Sequence, residues 1–272
     1  MLTKSKLQYL KNLSQKKYRE KGRVFLVEGW RGVEEACAAL KEIEILVHTK
    51  AVNENHQYGP FLSTARGKSK ERLEISEKEF SLIADTVAAQ GIAAVVKKPI
   101  FNADDEIEKL LKQDNAFVVA LDHIADPGNL GAIIRTSDWF GLDVILLGRN
   151  CVELYNPKVV RSTVGSIFHL PILDCSENSD RFPDLLKRLQ KNGFTLFGGE
   201  VSGNADLRTH VWPKKSLLVI GNEARGISSE ITKMLDEHLV IPKFGDAESL
   251  NAGVAAGVFL AHHSFQQKGE TT

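Results

Sequence analysis

The sequence predicts an α/β protein of two domains, the second of them built around a parallel sheet. Its 272 residues exceed the roughly 150 that are typical of one domain. Short apolar runs alternate with helical stretches along the whole chain, which is the pattern of α/β proteins. A composition of 43% hydrophobic and 26% charged residues is ordinary for globular proteins and excludes a disordered or collagen-like chain.

The first domain is expected to cover residues 1–100. Apolar runs predict strands over 24–27, 43–47 and 91–96, and apolar residues on one face predict a helix over 31–41. A second helix should follow Ser76, because Ser76 and Glu79 have the spacing of a capping box.

A linker is expected over residues 101–114. Pro99 precedes it, and the acidic run 104–106 lies within it. One helix, over 104–112, should belong to this linker.

The second domain, residues 115–272, has six continuous apolar runs in place of alternating ones. Strands buried on both faces have this composition, and they occur in parallel sheets that helices cover on each side. Ligands bind such sheets at the carboxyl ends of the strands, so the site should lie in the loops that follow them. The runs cover residues 117–121, 144–148, 168–173, 194–198, 217–221 and 239–242.

The formal net charge is zero, but the charges are unevenly distributed. Residues 1–100 hold 18 basic and 12 acidic side chains, and the rest holds 17 and 23. The first 23 residues are the most basic part, with tyrosines interleaved, as phosphate neutralisation and base stacking would require. A solvated, lysine-rich amphipathic helix is the alternative. The candidate RNA contacts are Lys16, Lys17, Arg19 and Arg23.

Several classes of site lack their usual residues. The sequence contains no dinucleotide-binding glycine motif, P-loop, zinc-protease helix or nucleophile elbow. Its three cysteines are widely spaced and form no CxxC pair, so we expect neither disulfides nor a metal. No apolar run is long enough for a membrane helix, and we expect a cytoplasmic protein.

Three loops carry candidate site residues. In the first, Asn129 is expected to cap a helix that contains Arg135. The two residues are six positions apart and lie on different helical faces, so they can share a site only if Asn129 is in the turn. A surface ion pair is the alternative role for Arg135. In the second loop, Glu223 follows a strand and Gly221, which lets a ligand approach the backbone.

The third loop, residues 241–251, leads into the last helix. Ser249 is expected to be its N-cap. The helix should carry an apolar stripe, and small residues beside the stripe leave room for close backbone contact. The expected stripe consists of Leu250, Val254, Val258, Ala261 and Phe265.

Taken together, the three loops resemble the motifs of the SpoU family of RNA ribose 2′-O-methyltransferases, which belongs to the SPOUT class. The matching segments occur in the family's order: residues 129–135, 220–227, and 241–242 followed by 248–256. Residues 23–36 resemble part of the family's substrate-binding domain. Ala224 stands where glycine is usual in the family, and Ala252-Gly253 where Val-Ser is common.

The resemblance implies a C-terminal α/β-knot domain, a trefoil knot with a mostly parallel sheet, after a smaller L30e-like α/β domain. It also implies S-adenosyl-L-methionine as cofactor, a homodimer with the site near the subunit interface, and 23S ribosomal RNA as substrate. A tRNA substrate, or an inactive protein that binds RNA in ribosome assembly, is the alternative. Carried over from the family, the cofactor-binding residues are Gly199, Glu200, Gly221, Ile241 and Leu250.

The same resemblance assigns the catalytic residues. Arg135 would be the family's essential arginine. Its guanidinium keeps its proton above about pH 12, so gripping a phosphate and stabilising alkoxide charge is an easier role for it than that of a base. The residues that would position Arg135 and the ribose are Asn129, Glu223, Ser249 and Asn251.

Overall fold

The computed structural model describes residues 2–55, 59–86, 88–176, 178 and 180–269. Contacts divide the chain into two compact units: Met1–Ile100 with Glu153–His169, and Phe101–Val152 with Leu170–Thr272. The segment Glu153–His169, which the sequence analysis placed in the second domain, is thus grouped with the first. The ring of Tyr155 lies 4.7 Å from that of Phe25, which explains the grouping.

The first unit is a four-stranded sheet with helices packed on it. The strand order is β1-β4-β2-β3, where β4 is antiparallel to both of its neighbours and β2 is parallel to β3. Numbered in chain order, its elements are α1 (Lys4–Asn12), α2 (Lys16–Gly22), β1 (Val24–Glu28), α3 (Trp30–Ala39), β2 (Ile43–Thr49), α4 (Lys50–Glu54), α5 (Gly59–Lys68), β3 (Ser69–Ile75), α6 (Glu77–Phe80), β4 (Ile92–Lys97) and α9 (Pro157–Thr163).

Local sequence explains most of these elements. The expected capping box opens α6: the Ser76 hydroxyl accepts from the Glu79 backbone N–H at 3.2 Å, and the Glu79 carboxylate accepts from the Ser76 N–H at 2.9 Å. The sequence analysis did not predict β3. It lies at the edge of the sheet and alternates partly buried with exposed polar residues, so it has no apolar run.

The second unit contains a seven-stranded sheet in the order β7-β6-β5-β10-β8-β11-β9, and all its pairings are parallel. Its elements are α7 (Ala103–Leu111), β5 (Ala116–Leu121), α8 (Pro127–Phe140), β6 (Val144–Leu147), β7 (Ile172–Asp174), α10 (Arg181–Lys191), β8 (Thr195–Glu200), β9 (Ala205–Asp206), β10 (Lys215–Ile220), α11 (Ser229–Thr232), β11 (Glu237–Val240) and α12 (Ala252–Gly269).

One predicted strand is largely wrong. The run 168–173 begins in a 3₁₀ turn, Ser166–Phe168, and only its last two residues join the sheet, in β7. Pro171 explains the late start, because proline has no N–H for the ladder. The other five runs form the strands expected of them.

The order of the strands determines where a ligand can bind. The chain passes from β5 outward through β6 to β7, and β8, β10 and β11 lie on the other side of β5. A crevice between the loops at the carboxyl ends is expected where the order reverses, which here is between β5 and β10. Helices α8 and α12 leave this same end of the sheet.

Candidate active site

A cavity of about 530 Å³ opens at the carboxyl ends of β8, β10 and β11. The apolar part of its wall includes Ile220, Ala252, Ala255 and Phe259. Its volume is within the roughly 300–1,000 Å³ of typical small-molecule sites. All five residues expected at the cofactor line it: Gly199, Glu200, Gly221, Ile241 and Leu250.

At two positions of the cavity wall only glycine fits, because any side chain would collide with neighbouring atoms. A Cβ at Gly221 would lie 2.3 Å from the carbonyl carbon of Gly226, because the loop after β10 folds back on itself. A Cβ at Gly199 would lie 2.8 Å from the Phe259 ring. At these two positions the cavity wall is therefore bare backbone, which a flat ligand can approach closely.

Asn222 holds the loop after β10 in shape. Its backbone exchanges two hydrogen bonds with Gly226, at 3.0 and 2.8 Å. Its side-chain oxygen accepts from the N–H groups of Ala224 and Arg225, and its side-chain nitrogen donates to the His123 carbonyl at 3.1 Å. The loop after β10 is thereby fixed to the loop after β5.

Asp122 makes a second connection between these loops. Its buried carboxylate accepts from the Ser228 N–H at 2.7 Å and lies 2.7 Å from Nδ1 of His123. The sequence did not identify Asp122 and Asn222 as positioning residues. The signal for both was their place one and two residues after a strand, beside the reversal point of the sheet.

Side chains from all three loops meet in one polar cluster. The Asn129 amide donates to the Glu223 carboxylate, and the Asn129 side-chain oxygen accepts from the Asn251 amide at 2.8 Å. Glu223 and Ser249 also line the cavity. The structure therefore brings together Asn129, Glu223 and Asn251, with Ser249 on the cavity wall nearby in the chain.

Two expected helix caps are wrong. Asp126 caps α8, because its side chain accepts from the Asn129 N–H at 2.9 Å, and Asn129 lies in the first turn. The Asn251 side chain accepts from the N–H groups of Gly253 and Val254, at 3.0 and 3.3 Å, so Asn251 takes the capping place expected for Ser249.

Arg135 lies on the solvent-facing side of α8. Within the described residues it makes no hydrogen bond or ion pair, so the alternative of an ion pair in this chain finds no partner there. The contacts bring Asn129, and not Arg135, into the polar cluster.

The predicted apolar stripe of α12 is not the buried face of the helix. The buried positions include Ala252, Ala256, Phe259 and Leu260, whereas all but Ala261 of the predicted stripe are exposed large hydrophobics. The helix is apolar on nearly all sides, so periodicity could not tell the two faces apart.

Helices α8 and α12 share one exposed face. They run parallel: Ala132 approaches Gly253, and Thr136 approaches Gly257. On the side of this contact away from the sheet lie Arg135 and Trp139 of α8 and Val254 and Val258 of α12. Trp139 is 83% exposed, although tryptophan side chains are highly buried on average. Exposed apolar surface of this kind marks an interaction site.

The basic N-terminal segment divides into exposed and buried residues. Lys16, Lys17 and Arg23 are exposed, and the Lys17 amine lies 4.8 Å from the centre of the Tyr18 ring. Arg19 is only 2% exposed: it donates to the Leu13 carbonyl at 2.7 Å and pairs with the Glu153 carboxylate. The expected RNA contact of Arg19 is therefore wrong, since its guanidinium is already engaged inside the unit.

The described part of the chain holds neither a membrane-spanning helix nor a cluster of metal-binding side chains. No helix there is long and apolar enough to cross a membrane. Over the same residues, no group of three or more His, Cys, Asp or Glu side chains is arranged to hold a metal ion.

The comparisons with known proteins agree with this architecture. The SpoU rRNA Methylase family model matches residues 116–261, and the MRM3-like substrate binding domain matches residues 4–94. The chain is 32% identical over 93% of its length to the 23S rRNA (guanosine(2553)-2′-O)-methyltransferase RlmP of Bacillus subtilis, and covers 93% of that protein.

Solved structures extend the likeness to the whole fold. The SpoU methyltransferase AviRb of Streptomyces viridochromogenes, in complex with AdoMet, has a TM-score of 0.85 and 26% identity, covering 98% of this chain and 99% of that one. The AdoMet-bound rRNA methyltransferase of Sinorhizobium meliloti has a TM-score of 0.82 and 28% identity, covering 98% and 96%. The expected SPOUT fold class is confirmed, and the chain belongs to the SpoU family of RNA methyltransferases.

Proposed function

We propose that the protein transfers the methyl group of S-adenosyl-L-methionine to a ribose 2′-hydroxyl of 23S ribosomal RNA. The observation that carries the proposal is the cluster of Asn129, Glu223 and Asn251, which joins the three sequence motifs beside the cavity. The names of the Bacillus and Streptomyces relatives, both 23S rRNA 2′-O-methyltransferases, support the substrate class. Such a substrate accords with a cytoplasmic protein.

The cavity residues fit this cofactor. Bare backbone at Gly199 and Gly221 beside the apolar side chains of Ile241 and Leu250 suits a flat adenine ring. Glu200 supplies a carboxylate on the same wall and also contacts His238 Nδ1 at 2.9 Å. When bound, the cofactor supplies an activated methyl group for in-line displacement.

The chain's own residues bind and orient the ribose. We assign to Arg135 the adjacent phosphate and the negative charge that develops on the 2′-oxygen, because a guanidinium offers several donors and keeps its charge. The Glu223 carboxylate is an acceptor for a ribose hydroxyl, and Asn129 and Asn251 hold it in place. Ser249 adds a hydroxyl on the cavity wall.

A second copy of the chain is the proposed cover for the exposed face of α8 and α12. Trp139, Val254 and Val258 form an apolar surface there, and burying it against an identical surface would give a two-fold homodimer. Arg135 shares this face, so the dimer would enclose its side chain at the subunit boundary.

The first unit is the proposed RNA-binding part. The match of residues 4–94 to a substrate-binding domain supports this role. Lys16, Lys17 and Arg23 are exposed, and basic side chains on a surface can contact phosphates. We propose residues 1–100 with 153–169 as the RNA-binding unit and 101–152 with 170–272 as the methyltransferase unit. The segment 101–114, expected as a linker, packs in the core of the second unit through Ala103, Ile107 and Leu110.

Two experiments test the proposal. Calorimetry with S-adenosyl-L-methionine should show one site per chain, and an absence of binding would favour the alternative of an inactive RNA-binding protein. Mapping 2′-O-methyl groups in total RNA, with and without the gene, should reveal one lost ribosomal position. Loss from tRNA instead would establish the other substrate class.

A further inference from the structure

A second cavity, of about 420 Å³, lies in the first unit at the end of the sheet where β1, β2 and β3 begin and β4 ends. Buried Val24 and Ile45 contribute to its lining. Helix α1 forms one wall: Leu10 is anchored in the core below, and the adjacent Tyr9 borders the cavity while 38% exposed. None of the residues assigned above to cofactor or RNA lines this cavity.

The rim of this cavity carries lysine amines that each contact at least one carboxylate. Lys6 pairs with Glu71, and Lys97 lies 3.4 Å from Glu44. Lys70 lies 2.9 Å from Glu44 and also contacts Glu42. A phosphate placed here would meet carboxylates as well as amines, so the arrangement disfavours a simple anion. The Watson–Crick edge of an unpaired base, in contrast, presents donors and acceptors side by side.

The protonation states of the rim suit such an edge. Hydrogen bonding to Lys70 lowers the pKa of Glu44, so its carboxylate remains an acceptor at neutral pH. Burial, aided by Glu44 and Glu71, raises the pKa of Tyr9, so the phenol keeps its proton. The Lys6 amine lies 5.8 Å from the centre of the Tyr9 ring, which leaves a neutral aromatic side chain beside a positive charge.

We propose that this cavity binds one unpaired nucleobase of the RNA substrate, stacked on Tyr9 with its edge hydrogen-bonded by Glu44 and Lys70. The proposal rests on the proposed function in so far as RNA is the substrate. It adds recognition of a single-stranded base to the charge-driven binding assigned to Lys16, Lys17 and Arg23.

Fluorescence anisotropy with the full chain tests this site. The probes are a fluorescein-labelled single-stranded RNA of mixed sequence and the blunt duplex of the same sequence. Tyr9→Ala should weaken binding of the single strand about tenfold, the usual effect of losing one base–aromatic stack. Binding of the duplex and the salt dependence should stay unchanged, because no charge is removed.

Matched variants separate stacking from folding. Tyr9→Phe keeps the ring and should bind the single strand as the wild type does. Glu44→Gln replaces two acceptor oxygens by one acceptor oxygen and one donor nitrogen. It should therefore change the order of the affinities for single-stranded oligo(A), oligo(C) and oligo(U). Equal affinity of Tyr9→Ala and the wild type for the single strand would overturn the proposal, as would an equal loss for strand and duplex.

The same samples keep this proposal distinct from the proposed function. Failure of the wild type to bind S-adenosyl-L-methionine, with the Tyr9 dependence intact, would overturn the methyltransferase assignment and support the base site. Methyl transfer together with Tyr9-independent RNA binding would overturn the base site alone.

Discussion

The side-chain amide of Asn129 donates to the carboxylate of Glu223, although 94 residues separate them in the chain. Asn251 then donates to the same asparagine from a third loop. The cluster depends on β5, β10 and β11 ending at one edge of the sheet, so it is a product of strand order and not of local sequence.

Arg135→Ala should abolish methyl transfer while leaving S-adenosyl-L-methionine affinity within a few-fold of the wild type. Arg135 is exposed and lines none of the cofactor cavity, so its loss removes charge near the RNA and no packing. Single-turnover assays and calorimetry on one preparation separate the two effects. Near-normal turnover in this variant would refute the assigned role.

Gly221→Ala should remove cofactor binding, since the added methyl group would lie 2.3 Å from the Gly226 backbone and force the loop after β10 to move. Gly245→Ala is the matched control. Gly245 also lines the cavity, but a Cβ there meets nothing within 4 Å. Calorimetry should give wild-type affinity for Gly245→Ala only. Similar affinities for the two variants would show that the packing of Gly221 is not limiting.

How much of this site was predictable from sequence depends on the range of the interactions. Five of the seven strands of the second unit were predictable, because residues buried on both faces form continuous apolar runs, whereas most of the run around β7 was wrong and the two-residue β9 was not predicted. The caps were not: Asp126 and Asn129 lie within the same turn, as do Ser249 and Asn251, and either member has a suitable side chain. In each pair, one residue caps the helix and the other contacts the site. Contacts with loops that are distant in the sequence determine which residue takes which role.

Burial explains the other differences. Arg19 looked like its basic neighbours, but its partner Glu153 is 134 positions away, so no local pattern could reveal the pair. The apolar stripe of α12 could be predicted but its exposure could not, because apolar periodicity does not distinguish a core face from an uncovered interface.

Arg19→Ala should lower the free energy of unfolding by about 3 kcal/mol, because it leaves the Glu153 carboxylate without its buried partner. Urea denaturation measures this effect.

Lys16→Glu with Lys17→Glu should barely change stability, since both side chains are exposed, but should weaken RNA binding and flatten its salt dependence. RNA affinity unchanged by the double reversal would exclude the N-terminal segment from the RNA-binding surface.

Trp139→Glu should convert the proposed dimer into monomers. A carboxylate placed in an apolar interface would have to be desolvated without a partner. Because Trp139 is 83% exposed in the single chain, the change should leave the fold of each chain intact. Sedimentation would show the mass halved, and circular dichroism would show the fold retained. A wild-type protein that sediments as a monomer would contradict the assignment of this face.

Acid should destabilise the second unit through three histidines: His262 and His263 of α12, and His210. Burial lowers the pKa of His263 to about 4, and it lowers the pKa values of His262 and His210. Between about pH 7 and pH 4 the unfolded chain therefore binds protons that the folded chain does not, so stability falls as the pH falls. His263 stacks on Phe117 at 3.7 Å between ring centres, and His263→Phe keeps a ring there without a titrating group. Unfolding midpoints at pH 7 and pH 5 should differ less for His263→Phe than for the wild type, whereas an equal difference would place the acid sensitivity elsewhere.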